Sequence, residues 1–186
     1  MRQFIPISGI LLATVVPAPA ALATDYLSLE AAQQSTFPQA DSFTEVLIPQ
    51  QSAQQLQALV SLSGPQPPHG VIRIWKATSQ GVVLGHFFVD EVIGKENLIT
   101  YAVGIDPSGT VHDLEILSYR ESHGGEIRNP AWRSQFNDRR GLQQLRFGID
   151  IKNISGATLS SEHVTQGVRW LMTLWQSALQ PKPAAG

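Results

Sequence analysis

Between Ser155 and Ser161 the chain reads S-G-A-T-L-S-S, seven residues of which four carry a hydroxyl and two more are glycine and alanine. Side chains this small leave the backbone bare, so a bulky group can approach it closely. Immediately afterwards Val164, Val168, Leu171, Trp175 and Leu179 recur at helical spacing, and Pro181 supplies a stop. That pattern predicts a helix starting near Ser160 or Ser161. The first turn of a helix has unpaired N–H groups and the positive end of the dipole, which together hold an anion such as phosphate. Capping alone would use Ser160 or Ser161 and a turn at Gly156, and would leave Ser155, Ala157 and Thr158 without a role.

The elements that must position this run can be read from the change of period along the chain. "YLSLEAAQQSTFP" predicts a short helix from about Ser28, its N-cap, to near Pro38, and "SFTEVLIP" alternates as a strand. "QQSAQQLQALVSLSG" is helical up to Gly64 and reads as a solvated helix over one sheet face; Gly64 to Gly70 is a loop. From Val71 the period becomes two: "VIRIWKAT", "GVVLGHFFVDEVIG" and "NLITYAVGID" read as strands, and the turn Asp106–Gly109 leads into "TVHDLEILSYRES". Consecutive strands joined by short turns imply an antiparallel sheet with helices flanking it, a single α+β domain.

Composition removes whole classes of chemistry. With 186 residues, 42% of them hydrophobic, the chain can bury one core. A net charge of -2 with 13 Lys+Arg gives no basis for phosphate-backbone binding to nucleic acid. The absence of cysteine removes disulfides, thiolate metal sites and iron–sulfur clusters. His69, His86, His112, His123 and His163 show no H-x-x-x-H or H-E-x-x-H spacing. There is no G-x-G-x-x-G after a strand, and no P-loop.

At the N-terminus Arg2, an apolar stretch from Phe4 to Val16 and the small-residue ending Ala21-Leu22-Ala23 form the pattern of a signal peptide cleaved after Ala23, with Thr24 first in the mature, exported chain. An uncleaved membrane anchor over Phe4 to Ala23 is the alternative. The expected organisation is a signal peptide over 1–23, a helix-and-strand segment over 24–69 packing on the domain, the domain itself over 70–180, and a tail over 181–186.

"ISGATLSS" resembles the S-G-A-T-x-[ST]-S motif of the FMN-binding domain family, represented by the C subunit of sodium-translocating NADH:quinone oxidoreductase and the G subunit of Rnf complexes. "LITYAVGIDPSGTVHDLEILSYRESHGGEI" and "NPAWRSQF" are similar to the family's strand–turn–strand segment and its Trp-and-Phe segment, so the resemblance runs from about Leu98 to Leu174. It implies FMN joined through a phosphodiester bond to Thr158, installed from FAD by a magnesium-dependent flavin transferase, with Ser155, Gly156, Ala157, Leu159, Ser160 and Ser161 around it. It also implies electron transfer with a membrane or periplasmic redox partner. Where family members commonly carry an aspartate three residues before the motif serine, this chain has Lys152, and its nearest acid is Asp150. Noncovalent FMN is the alternative that this departure leaves open.

An isoalloxazine ring needs an apolar surface, a close backbone approach and a few polar partners. Gly124 and Gly125 are the candidates for the approach, and Glu121, His123 and Glu126 for the polar partners. Trp132 and Phe136 read as core, with Trp132 against the ring as the other choice. Two readings from other classes stand beside this one. The first is a hydrolase with Ser155, Ser160 or Ser161 as nucleophile and His123 or His163 as base, although no G-x-S-x-G is present. The second is a cofactor-free periplasmic ligand-binding or adaptor module.

Overall fold

The computed structural model describes residues 26–48, 53–64 and 72–180. The expected signal peptide, most of the Gly64–Gly70 loop, Pro181 and the tail lie outside them. Helix α1 spans Leu29–Thr36, and its predicted cap is in place, with the Ser28 hydroxyl accepting from the Ala31 N–H. Strand β1, Ser42–Glu45, is shorter than its alternating sequence. Helix α2 covers Ala53–Ser63. The meander then runs β2 (Arg73–Ser79), β3 (Val82–Ile93), β4 (Leu98–Ile105) and β5 (Val111–Tyr119). After the short helix α3, Pro130–Arg133, flanked by 3-10 turns, α4 occupies Thr158–Ala178.

The described strands form one antiparallel sheet in the order β1-β2-β3-β4-β5. The turns explain the register. Gln80 and Gly81 both have positive φ, 49° and 80°, the hairpin geometry that matches strand twist. Between β4 and β5 the Asp106 carboxylate accepts from the N–H groups of Ser108 and Thr110, closing the predicted turn. The segment before residue 70 does more than pack on the domain: β1 is an edge strand of the same sheet.

Alternation along the strands divides the core in two. Ile74, Phe88, Tyr101, Val103 and Ile116 face α4, while Trp75, Phe87, Ala102 and Leu117 face α1. Each large side chain so buried stabilises the fold by about 2 kcal/mol. Val164, Val168, Leu171 and Trp175 of α4 are buried on the first face, as their spacing predicts. Gly167 allows α4 to lie close to the sheet, because a Cβ there would collide with the Tyr101 ring and hydroxyl. Helix α2 differs from its expected place. It lies against α4, with Leu59 buried and the Ser63 carbonyl accepting from Arg169 Nε, because its apolar residues meet the flank of the longer helix.

Candidate functional site

Helix α4 begins at Thr158, earlier than Ser160 or Ser161, and no side chain caps it. Its first internal hydrogen bond is from Ser161 N–H to the Ala157 carbonyl at 3.0 Å, which leaves the N–H groups of Thr158, Leu159 and Ser160 ahead of the helical ladder. The two serines expected as caps lie within the helix and are buried. Ser161 Oγ turns back to the carbonyls of Ala157 and Thr158, each at 3.0 Å, and receives the Ile154 N–H at 3.4 Å. Capping fails because the turn before the helix is made by Gly156, at φ 82°, and Ala157 then enters the first turn without an acceptor side chain.

A cavity of about 360 Å³ opens on this helix start, lined by Gly156, Ala157, Thr158, Leu159 and Ser160 on one side and by Lys95, Glu96, Glu121, Ser122 and His123 on the other. Thr158 and Leu159 are exposed in it. A wider opening beside it, sharing Ser122 and His123, runs over Gly124, Gly125, Glu126, Arg128, Asn129 and Pro130. The fold therefore brings together the S-G-A-T run and the Glu-Ser-His-Gly-Gly loop, which are about thirty residues apart in sequence.

The two glycines meet different neighbours. Gly124 has φ 85°, and a Cβ there would collide with Ala157 Cβ and lie 2.7 Å from the Tyr119 hydroxyl, so its bare face admits the motif alanine. Gly125 faces only the guanidinium end of Arg128. Tyr119, absent from the sequence-based candidates, joins the two walls: its hydroxyl donates to the His123 carbonyl at 2.5 Å and lies 3.3 Å from Ser160 Oγ. Burial pushes the Tyr119 hydroxyl pKa up, with Glu121 and Glu126 adding to the rise and Ser160 opposing it, so the proton needed for donation stays in place.

Glu121 lines the cavity and also ties down a neighbouring turn. Its Oε1 accepts from the N–H groups of Glu96 at 2.7 Å and Asn97 at 2.9 Å, across the sheet in the turn between β3 and β4. Burial raises its carboxyl pKa, but donation from Asn97, Glu96 and Lys95 outweighs that and the net shift is downward, so Glu121 is an anion. His163 is hydrogen-bonded through Nδ1 to the Ile93 carbonyl at 2.5 Å and is not among the residues lining the cavity. His123 Nδ1 lies 2.9 Å from Ser122 Oγ. Among the described residues neither histidine hydrogen-bonds Ser155, Ser160 or Ser161, so the geometry assembles no serine–histidine pair for the hydrolase reading.

Trp132 and Phe136 are core residues, with rings 5.1 Å apart and nearly perpendicular. The Trp132 indole N–H donates to the Lys152 carbonyl at 2.8 Å while Lys152 N–H donates to Gln135 Oε1, which holds the approach to the motif from both sides and leaves the Lys152 side chain exposed. Asp150 is taken up by Arg146 in a two-pronged ion pair, and that hydrogen bonding lowers its pKa to about 2. Lys95, Glu96, Ser122 and Tyr119 were missed because only pairing of β3 with β4 and β4 with β5 carries them to the helix start.

Residues 94–172 match the FMN-binding domain, in agreement with the resemblance read from Leu98 to Leu174, and the match identifies FMN as the cofactor. The chain is 23% identical to the G subunit of the Na(+)-translocating ferredoxin:NAD(+) oxidoreductase complex of Acetobacterium woodii, over 78% of this chain and 73% of the relative. It is 30% identical to the G subunit of the proton-translocating ferredoxin:NAD(+) oxidoreductase complex of Clostridium ljungdahlii, over 51% of this chain and 56% of that one. No helix among the described residues is long and apolar enough to cross a membrane.

Proposed function

We propose that this chain is an exported electron-transfer protein whose FMN is attached by a phosphodiester bond to Thr158, transferred from FAD by a magnesium-dependent flavin transferase as the Thr158 hydroxyl loses its proton, the pyrophosphate bond breaks and AMP leaves. The observation that carries this reading is the uncapped start of α4, where the exposed Thr158 and the first turn, whose N–H groups precede the helical ladder, line one cavity. A side-chain cap would have filled that position. The residues fit the phosphate end of FMN: Gly156 and Ala157 are small, so the backbone can be approached, and Lys95 brings a cation to the opposite wall. When bound, FMN supplies the gain and release of electrons. The chain holds the phosphate at Thr158, keeps the loop from Ser122 to Gly125 against Ala157 through Tyr119, and leaves the mouth open for a redox partner. The relatives belong to ion-translocating redox complexes by their names, which supports a membrane redox partner for this chain. Export rests on Arg2, the apolar stretch and Ala21-Leu22-Ala23.

Noncovalent FMN is the second reading, and Lys152 favours it, because the surface before the motif presents a cation where the family commonly has aspartate. The test is intact mass after co-expression with the transferase. Covalent attachment adds one FMN less one water, and Thr158→Ala abolishes fluorescence that survives denaturation. A bare chain mass that Lys152→Asp restores to the flavinylated one assigns the failure to recognition. A bare mass in both, with FMN retained until denaturation, establishes the noncovalent reading. N-terminal sequencing after secretion gives Thr24 for a cleaved signal and Met1 for an anchor.

A further inference from the structure

Three contacts converge on Glu121. Two are the N–H groups of Glu96 and Asn97 on Oε1. The third is Gly94, where any Cβ would collide with that same oxygen. Gly94 N–H itself closes the turn onto the Asn97 carbonyl at 2.8 Å. The whole connection from β3 to β4 is thus built around one carboxylate from the end of β5. What this turn carries outward is Lys95, which lines the Thr158 cavity. Its ammonium lies 3.5 Å from Glu96 Oε1, and both side chains are largely exposed, 72% and 67%, so the pairing is weak and the cation is available to a stronger anion.

We infer that Glu121 is a positioning residue which, by holding the β3–β4 turn, presents Lys95 to the phosphate of FMN at the start of α4. This rests on the FMN reading and adds to it a cation on the opposite wall from the motif. Helix-end N–H groups supply partial charge, and Lys95 supplies a full one. The arrangement makes the site prefer FMN over riboflavin, which has the same ring and no phosphate.

The signs of the expected effects separate positioning from plain electrostatics. Glu121 is a negative charge beside an anion site, so on Coulomb grounds alone its removal would tighten FMN binding. If it holds the turn, Glu121→Ala loosens FMN binding instead, and Glu121→Gln, which keeps an oxygen acceptor for both N–H groups, preserves it. The experiment titrates the full chain, expressed without the flavin transferase, with FMN and with riboflavin, following flavin fluorescence at low salt. Lys95→Ala and Glu121→Ala are each expected to weaken FMN by about five-fold and leave riboflavin unchanged, the scale of one partly exposed ion pair. Lys95→Arg retains the preference, and added salt erodes it.

Lys95→Ala with an unchanged FMN-to-riboflavin ratio overturns the role of Lys95. Glu121→Ala that binds FMN as tightly as Glu121→Gln overturns the positioning role. Should Glu121→Ala unfold, Lys95→Ala at the exposed turn still decides the cation. Failure of the parent chain to bind either flavin, with no FMN in its mass after co-expression, overturns the FMN reading and this inference with it.

Discussion

Two of the places where helix α4 meets polar groups are built on opposite terms. At its start Thr158 and the uncapped first turn line a cavity, and the nearby carboxylate of Glu121 accepts two backbone N–H groups on Oε1 and is held ionised. Around Gly167, halfway along, the helix lies on Tyr101, whose hydroxyl donates to Asp90 Oδ2 at 2.7 Å in a place without solvent. Asp90 Oδ1 has no partner among the described residues, and burial pushes its carboxyl up to about 6 against the pull of Tyr101. Where donors outnumber the charge and water is near, a carboxylate is stabilised as an anion. Where burial dominates, it is stabilised as the acid. The open site is available to a ligand, whereas the closed one contributes to the stability of the fold.

The sharpest way to break this comparison is Gly167→Ala. In an exposed helix interior that change stabilises by about 1 kcal/mol, but here the methyl meets Tyr101 and Val92. We expect a loss of about 4 kcal/mol in denaturant unfolding, from overpacking together with the displaced Tyr101–Asp90 hydrogen bond. Stabilisation would mean that α4 stands off the sheet.

Acid should act on the two places with opposite sign. The folded pKa of Asp90 lies above its ordinary value of 3.8, so its contribution is full below about pH 4, declines as pH rises toward 6 and is gone above it. The total is roughly 3 kcal/mol, and unfolding of Asp90→Asn compared with the parent between pH 4 and 7 measures it. Glu121 has a depressed pKa, so its contribution is present at neutral pH and lost as pH falls through the carboxylate range. A parent-minus-variant difference for Asp90→Asn that grows with pH would contradict the burial argument.

The smallest contrast lies within the Gly-Gly pair. Gly124→Ala combines a left-handed backbone with contact on Ala157 and Tyr119, and we expect it to cost about 2 kcal/mol and to diminish flavin attachment. Gly125→Ala meets only the movable end of Arg128 and should cost less than ~0.5 kcal/mol. Equal effects would show that the loop does not rest on the motif.

Much of this molecule was legible in the residues. The alternation of β2 to β5, the Ser28 cap and the apolar stripe of α4 are local, since period and capping depend on residues a few places apart. The S-G-A-T run identified the cofactor family for the same reason: it is one contiguous stretch. What tertiary structure alone decided is which polar groups remain free. Ser160 and Ser161 have the right chemistry for caps, and the helix starts ahead of them because Gly156 turns the chain first. Glu121 and Gly124 are candidate ligand contacts in sequence, and the fold gives each a protein neighbour as well: strand pairing brings the β3–β4 turn to Glu121, and the start of α4 brings Ala157 to Gly124. Those partners are distant in sequence, so no pattern of spacing encodes them. Lys95 reaches the cavity by the same route, because β3, β4 and β5 in register bring its turn beside the end of β5.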